Sequence, residues 1–311
     1  MGTFKFGKRE EAHLAIFLAN VGWGVMAPVS KMVLLSGAMS SLALSGIRIA
    51  GGALLFVVFS WILPSSLGTR QHVEMRDMLR LFVCSVLMIS CNQGMYIIGM
   101  GLTNPIDASV MGSLTPMLTM LLAAIFLKFP MTLVKVTGVL LGLGGVILLV
   151  KDSSGSEIAV NPLAGDLLCL GAQFCAAVYY VGFDDIIRKY SPYTLMKWMF
   201  VMSACTYVPF CVPDMLRVDY GALPSEIWWQ LAFIITIPTF WGYMMIPLAQ
   251  RSLKPTVVSA YSYLQPVFAS IVAVAFAVGD FGWGKVLAAA LIFVGIALVN
   301  RSSTSAAPAR D

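Results

Sequence analysis

The stretch GLTNPIDASVMGSLTPML at residues 101–118 lies over RSLKPTVVSAYSYLQPVF at residues 251–268 when the chain is aligned with itself at an offset of 150 residues. The alignment places Pro116 on Pro266. A proline in the middle of a helix removes a backbone hydrogen bond and kinks or ends the helix. The same break made twice, about half the chain apart, indicates an internal repeat.

The composition is that of a membrane protein. Of the 311 residues, 59% are apolar and 11% are charged, whereas soluble domains are about 25% charged. Apolar runs of roughly 20 residues recur along the chain, and each could cross a hydrocarbon layer of about 30 Å. The runs are continuous rather than alternating, so they predict helices and exclude a barrel.

Ten transmembrane helices are predicted, joined by short connections. They cover residues 12–35, 40–63, 79–101, 107–128, 132–151, 164–186, 193–212, 227–248, 255–278 and 283–301. With the N-terminus inside, the cytoplasmic segments hold fourteen lysines and arginines and the opposite side holds three. By the positive-inside rule, both termini are expected in the cytoplasm, in an integral protein of the cell (inner) membrane.

The repeat divides the chain into two halves of five predicted helices each. Residues 1–151 form the first half and residues 152–301 the second, and residues 302–311 are predicted to be a short disordered cytoplasmic tail. Because five is odd, the second half enters the membrane from the opposite side. The predicted fold is an all-α polytopic membrane protein with two inverted five-helix repeats. Inverted repeats are typical of secondary transporters, which bind substrate near the midplane between the halves.

The sequence lacks the residues that several other classes of function require. The two histidines, His13 and His72, lie in or beside predicted cytoplasmic segments, so neither a metal site nor a histidine acid–base pair is expected. There is no ATPase-type phosphate-binding loop and no nucleic-acid patch, and no cofactor is expected. No carboxylate lies at the centre of a predicted span, which favours uniport or exchange over proton coupling.

Six stretches in succession carry a family resemblance. They are GWG (22–24) followed by Lys31, LALSGIRIAGGALL (42–55), PMLTMLLAAIFL (116–127), GDLLCLGA (165–172), YLQPVFASIVAVAF (263–276) and LIFVGIALV (291–299). In this order they resemble the EamA family of the drug/metabolite transporter superfamily over almost the whole chain. The sequence departs from that pattern at Phe129, where an acid is common, and at Ala176, where a tryptophan is expected.

The resemblance implies ten helices with both termini cytoplasmic. It also implies a central cavity that is lined mainly by helices one, three, four, six, eight and nine and that opens alternately to the two sides. The implied activity is export or exchange of small metabolites such as amino acids. The expected partners are therefore a small-molecule substrate and the lipid bilayer, with the protein itself a monomer.

Polar and aromatic residues of these helices form the predicted substrate site. They are Asn20, Trp23, Asn92, Gln93, Tyr96, Thr115, Gln173, Tyr179, Trp241, Tyr243, Tyr263 and Gln265. Helix packing is the alternative for each of them, because amides also hold membrane helices together and tyrosines anchor helix ends. Pro116 and Pro266 are predicted to kink helices four and nine beside the transport path.

Three charged residues raise separate questions. At an offset of 153 residues, Lys31 aligns with Asp184, and the pair is predicted to gate the two ends of the path. The alternative for Lys31 is a side chain that reaches the headgroups from a helix end. Arg48 lies deeper, in helix two, and is interpreted as a structural anchor.

Two further functions stay open. A carrier of anionic substrates, such as sugar phosphates or nucleotide sugars, would require a cluster of basic residues in the cavity, and Lys31 alone supports it weakly. A membrane-embedded enzyme would require a histidine, an acidic pair or an aspartate-rich motif at the bilayer surface, and no such motif is recognised there.

Overall fold

The protein is described by a computed structural model. The model describes residues 8–304 apart from a few short gaps, which are 65–67, 70, 127, 129–131, 154–158, 251–252, 254–260 and 280–281. Within these ranges the chain contains helices and turns and no β-strand. It is an all-helical membrane protein, as the sequence predicts.

Ten helical segments follow one another in the described residues. They are α1 (Lys8–Leu35), α2 (Ser41–Ile62), α3 (Met75–Leu102), α4 (Pro105–Phe126), α5 (Leu133–Ser153), α6 (Pro162–Gly182), α7 (Pro192–Leu216), α8 (Ser225–Ile234, Ile235–Trp241 and Gly242–Gln250), α9 (Leu264–Ala275) and α10 (Trp283–Thr304). A short helix, Asp184–Lys189, lies between α6 and α7. The last helix extends past residue 301, into the segment that is predicted to be a disordered tail.

Length and composition allow six of the described helices to cross a membrane. They are Arg9–Leu35, Ser41–Ile62, Met75–Leu102, Pro105–Phe126, Pro162–Gly182 and Pro192–Leu216. Shorter apolar helices, Leu133–Leu149, Leu264–Ala275 and Trp283–Leu298, accompany them. Below, the N-terminal face is the end of the bundle at which α1 begins, and the opposite face is the end at which α1 stops at Leu35.

Local sequence signals explain where several helices begin. The hydroxyl of Ser40 accepts a hydrogen bond from the Ala43 amide at the start of α2, and the hydroxyl of Ser191 does the same for Thr194 at the start of α7. Serine is a favoured residue at this position because its oxygen satisfies an otherwise unpaired amide. The second helix of each half therefore starts with the same device.

The packing of the helices shows the inverted repeat. The helices α2 and α7 pack on each other, and so do α5 and α10. The helix α1 packs against α8 and α9, while α6 packs against α3 and α4. Exchanging each helix of one half for its counterpart in the other leaves this set of contacts unchanged, which is the property of two equivalent halves.

Glycines let α5 and α10 approach each other closely. A Cβ added at Gly145 would lie 2.8 Å from the Ala288 carbonyl oxygen, and a Cβ at Gly295 would collide with the Gly138 carbonyl oxygen. Gly145 and Gly295 are equivalent at the 150-residue offset of the repeat. Small residues at such positions allow backbones in a membrane to touch, and dispersion then holds the helices together.

We predict that Gly295→Ala lowers the stability of the folded protein by about 1–3 kcal/mol, the usual cost of overpacking. The methyl group meets the α5 backbone, which cannot rotate away as a side chain can. Gly144→Ala is the matched control, since an added Cβ there meets no described atom within 4 Å. Alanine favours a helix over glycine by about 1 kcal/mol, so the control should unfold at the same or a higher temperature in detergent. Equal melting of both variants and the wild type would contradict the close approach.

Candidate functional site

The two prolines mark where helices are interrupted. In α4, the α-helix Pro105–Gly112 stops, Ser113 and Leu114 form a turn, and a second helix, Thr115–Phe126, follows. Pro116 is therefore in the first turn of that second helix, where its missing N–H costs little. The structure thus places a break at Ser113–Leu114, where the sequence predicts a kink at Pro116.

The equivalent region of α9 is also irregular. A short 3₁₀ turn, Tyr261–Tyr263, leads into the α-helix Leu264–Ala275, so that Pro266 again lies in the first turn. The side chain of Tyr263, one of the predicted site residues, lies outside the described part of the structure.

The residues immediately before the two prolines make equivalent contacts between the halves. The Thr115 hydroxyl of α4 donates to the Gln173 Oε1 of α6 at 2.6 Å. The Gln265 Nε2 of α9 donates to the Asn20 Oδ1 of α1 at 2.8 Å. Asn20 aligns with Gln173, and Thr115 aligns with Gln265, so the two hydrogen bonds correspond to each other under the repeat.

The contacts around Gln265 place it beside a second helix interruption. A Cβ added at Gly24 would lie 2.6 Å from the Gln265 carbonyl oxygen, so α1 and α9 touch at this residue. The Gln265 Oε1 and the Tyr96 hydroxyl lie 3.6 Å and 3.9 Å from a Cβ built at Gly112, the last residue before the α4 break. Tyr96, which is 8% exposed, thus faces the same region as the Gln265 amide.

Both α3 and α8 contain a π-helical stretch. In α3 it covers Val86–Cys91, and in α8 it covers Ile235–Trp241, close to the 150-residue offset of the repeat. Single π-helical turns inside α-helices often mark functional sites. The first buried polar or aromatic side chains after these stretches include Gln93 and Tyr243, which are equivalent in the two halves.

Trp23 fixes α1 against the π-helical stretch of α8. Its indole N–H donates to the Pro238 carbonyl oxygen at 2.8 Å, and its ring packs edge-on against Tyr243 at 5.8 Å between centroids. On the other side, Phe200 of α7 packs edge-on against Tyr243 at 5.5 Å. The Tyr243 ring is therefore held between two aromatic neighbours.

The two adjacent amides of α3 have different surroundings. The Asn92 Nδ2 donates to the Ala172 carbonyl oxygen at 2.7 Å, so this side chain joins α3 to α6. Gln93 is 1% exposed and lies next to Tyr243, yet its two amide atoms make no hydrogen bond of ordinary geometry with the described residues. Unpaired buried polar groups are rare in native proteins and need an explanation.

Arg48 belongs to the same region, although the sequence suggested only an anchor. It is 2% exposed, its Nε donates to the Thr239 hydroxyl in the π-helical stretch of α8 at 2.8 Å, and it lies close to Tyr96 and Tyr243. Among the described residues no carboxylate forms an ion pair with it. The signal in the sequence was the absence of any acid at the same depth in the predicted spans.

Lys31 lies on the opposite face and closes the end of α3. It is 1% exposed, and its ammonium donates to the carbonyl oxygens of Met100, Gly101 and Thr103 at 3.2, 3.0 and 2.8 Å. A cation is favourable there because the last carbonyls of a helix lack intrahelical partners and carry partial negative charge.

Two further buried contacts on this face connect the halves. The Thr103 hydroxyl of the first half donates to Asp166 of the second at 2.7 Å. The Lys285 ammonium of the second half lies 3.0 Å from the Asp107 carboxylate of the first. The opposite face is therefore closed by buried polar contacts.

Asp184, the predicted counterpart of Lys31, is on the N-terminal face. Its side chain is 59% exposed and pairs with Arg188 at 2.8 Å within the short helix. Nearby, Arg80 pairs with Asp185 and lowers the pKa of that carboxyl through a hydrogen bond. Lys189 in the same way lowers the pKa of the Glu74 carboxyl. These ion pairs are exposed, in contrast to those on the opposite face.

Two predicted site residues do not lie among the polar side chains at the helix interruptions. Trp241 is 47% exposed, and among the described residues its ring contact is with Phe240, at 5.5 Å between centroids. Tyr179 is 1% exposed, and its ring packs against that of Tyr180 at 5.2 Å between centroids. The described residues contain no group of ligands that could hold a metal ion.

The fold and its polar centre define a membrane transporter of the inverted-repeat class. The model of the EamA-like transporter family matches residues 11–151 and again residues 163–301. The chain therefore belongs to the EamA-like transporter family, which is a family of transporters and not of enzymes.

Individual relatives are distant. The transporter YyaM of Bacillus subtilis is 23% identical over 74% of this chain and 75% of its own length. The inner membrane transporter YicL of Salmonella typhimurium is 22% identical over 76% of this chain and 79% of its own length. A crystal structure that is 20% identical superimposes with a TM-score of 0.64 and covers 97% of this chain and 100% of that chain, which supports the fold.

We predict that Lys31→Met lowers the free energy of unfolding by about 1.5–3 kcal/mol, the range for hydrogen bonds to a charged group. The substitution keeps the volume but leaves the carbonyls at the end of α3 without the ammonium. Lys128→Met, at an exposed lysine, is the control and should change stability by less than about 0.5 kcal/mol. Chemical unfolding in detergent measures both, and a Lys31 variant as stable as the control would show that the contacts contribute nothing.

Proposed function

We propose that this transporter moves amino acids or related small metabolites out of the cell, or exchanges them, by alternating access. The observation that carries the proposal is the pair of equivalent hydrogen bonds at the two interrupted helices, Thr115–Gln173 and Gln265–Asn20. Each joins the two halves at the level where both halves interrupt a helix. Such a place can both bind a polar solute and change shape.

The buried contacts of the opposite face are the proposed gate on that side. Asp107–Lys285 and Thr103–Asp166 join the two halves, so they must separate when the path opens there. Asp107 and Lys285 are 0% and 6% exposed, and an ion pair so placed resists opening unless water or substrate replaces the lost partners. On the N-terminal face, the exposed ion pairs Lys189–Glu74 and Arg80–Asp185 are in reach of water and separate more easily.

The proposed working unit is a single chain in the inner membrane. Its proposed orientation places both termini in the cytoplasm. Fourteen lysines and arginines on one side against three on the other support it. A reporter enzyme fused after the last helix, active only in the cytoplasm or only outside it, tests this orientation directly.

We predict that Thr115→Val and Gln265→Leu each reduce transport about tenfold, which corresponds to about 1.4 kcal/mol of lost interaction. Each removes one of the equivalent polar contacts while nearly preserving volume. The assay is saturable counterflow of labelled amino acids in proteoliposomes.

Thr119→Val is the matched control, because the Thr119 hydroxyl bonds only to the Thr115 carbonyl oxygen of its own helix among the described residues. It should transport like the wild type. Absence of saturable flux for every amino acid and related metabolite in the wild type would overturn the proposed function. Wild-type flux in the Thr115 and Gln265 variants would overturn the proposed site alone.

A further inference from the structure

Arg48 carries a charge that no carboxylate of the described residues balances. It is seven residues into α2, which places it about 10 Å below the opposite face at 1.5 Å per residue. Among the described residues, its hydrogen bond goes to a neutral hydroxyl, that of Thr239, which in turn donates to the Ile234 carbonyl oxygen at 2.8 Å. A charge at this depth is expensive and marks either an ion pair or a site that receives one.

Gln93 is a second, independent sign of a binding site. It is 1% exposed, and neither its Nε2 nor its Oε1 makes a hydrogen bond of ordinary geometry with the described residues. Tyr243 lies next to both Gln93 and Arg48, and Tyr96 also lies close to Arg48. A guanidinium, an amide and two phenols from α2, α3 and α8 therefore converge.

The corresponding pair of helices in the other arrangement, α7 with α3, meets through different side chains. There α7 meets the π-helical stretch of α3 through Ser203 and Ser90, whose hydroxyls lie 2.7 Å apart and satisfy each other. In the first half the corresponding meeting of α2 with the π-helical stretch of α8 is Arg48 with Thr239. The contact of α7 with α3 is therefore between two neutral groups, whereas the contact of α2 with α8 brings a cation into the bundle.

We propose that Arg48 binds a carboxylate of the transported substrate, with Gln93 and the hydroxyls of Tyr96 and Tyr243 holding the polar atoms beside it. A planar guanidinium matches a carboxylate with two parallel hydrogen bonds, and such charge-assisted bonds are strong. Gln93 presents both a donor and an acceptor, so it suits a solute that carries an amino group as well. The inference rests on the proposed function and narrows its substrates to carboxylates.

The first measurement needs no ligand. Because no carboxylate of the described residues pairs with Arg48, and because Thr239 keeps its own bond to Ile234, Arg48→Met should leave the melting temperature of the purified protein unchanged or raise it. If Arg48 were a structural anchor, the same variant would melt at a clearly lower temperature, and that result would overturn the proposal even before a substrate is found.

The second measurement compares matched ligands. Thermal stabilisation of the wild type is recorded with L-amino acids, with their amides such as L-leucinamide, and with glucose 6-phosphate. We expect the acids to bind at least about thirtyfold more tightly than their amides, the low end for a buried charge pair that loses one partner. In Arg48→Met this preference should disappear, and Arg48→Lys should retain part of it.

Lys197→Met is the control, because Lys197 of α7 donates to the Thr69 carbonyl oxygen near the N-terminal face and lies away from this group. It should keep the full preference for acids. Equal binding of acids and amides to the wild type would overturn the inference, as would binding of glucose 6-phosphate alone. Failure of every probe to bind or be transported would instead overturn the proposed function, while the ligand-free melting of Arg48→Met still decides the role of the arginine.

Discussion

A polar group that enters the hydrocarbon layer must find its partner inside the protein. This constraint explains why the polar side chains of the bundle gather at helix irregularities. Pro116 cannot donate to the Gly112 carbonyl oxygen, and the Thr115 hydroxyl lies 3.2 Å from that oxygen. The Trp23 indole donates to the Pro238 carbonyl oxygen in the π-helical stretch of α8, and the Lys31 ammonium donates to the carbonyl oxygens at the end of α3. Each irregularity therefore requires a nearby donor, and the donors in turn create a polar centre.

The weakness of these bonds suits transport. Hydrogen bonds between helices in a membrane contribute on average about 0.6 kcal/mol, because an opened partner finds another one. The contacts Thr115–Gln173 and Gln265–Asn20 can thus be exchanged for contacts with a solute at little cost. The two faces of the bundle differ, since the Asp107–Lys285 pair is buried and the Arg80–Asp185 pair is exposed.

The sequence predicts the fold well because hydropathy and the 150-residue repeat are properties of the whole chain. Both survive local irregularity, and the number and order of the helices follow from them. The π-helical stretches were not predictable, since VLMISC and ITIPTFW share no pattern that distinguishes them from ordinary helix. The sequence also did not predict which polar side chains form hydrogen bonds with each other. Asn20 and Gln173 align with each other, but each bonds to the residue before a proline of the other half.

The surroundings of Arg48 in the structure could not be predicted from the sequence. From the sequence, a cation in helix two reads as an anchor, because the second helix is not among those implied to line the path. In the structure the π-helical stretch of α8 brings Thr239 under the guanidinium and Tyr243 beside it, so a residue of a peripheral helix reaches the centre. The corresponding helices α7 and α3 meet instead through two neutral hydroxyls, those of Ser203 and Ser90. Two equivalent halves give a transporter its alternation, but equivalence alone gives a solute no preferred orientation. Selectivity for a substrate can arise where the halves differ, as they do in the charge of Arg48.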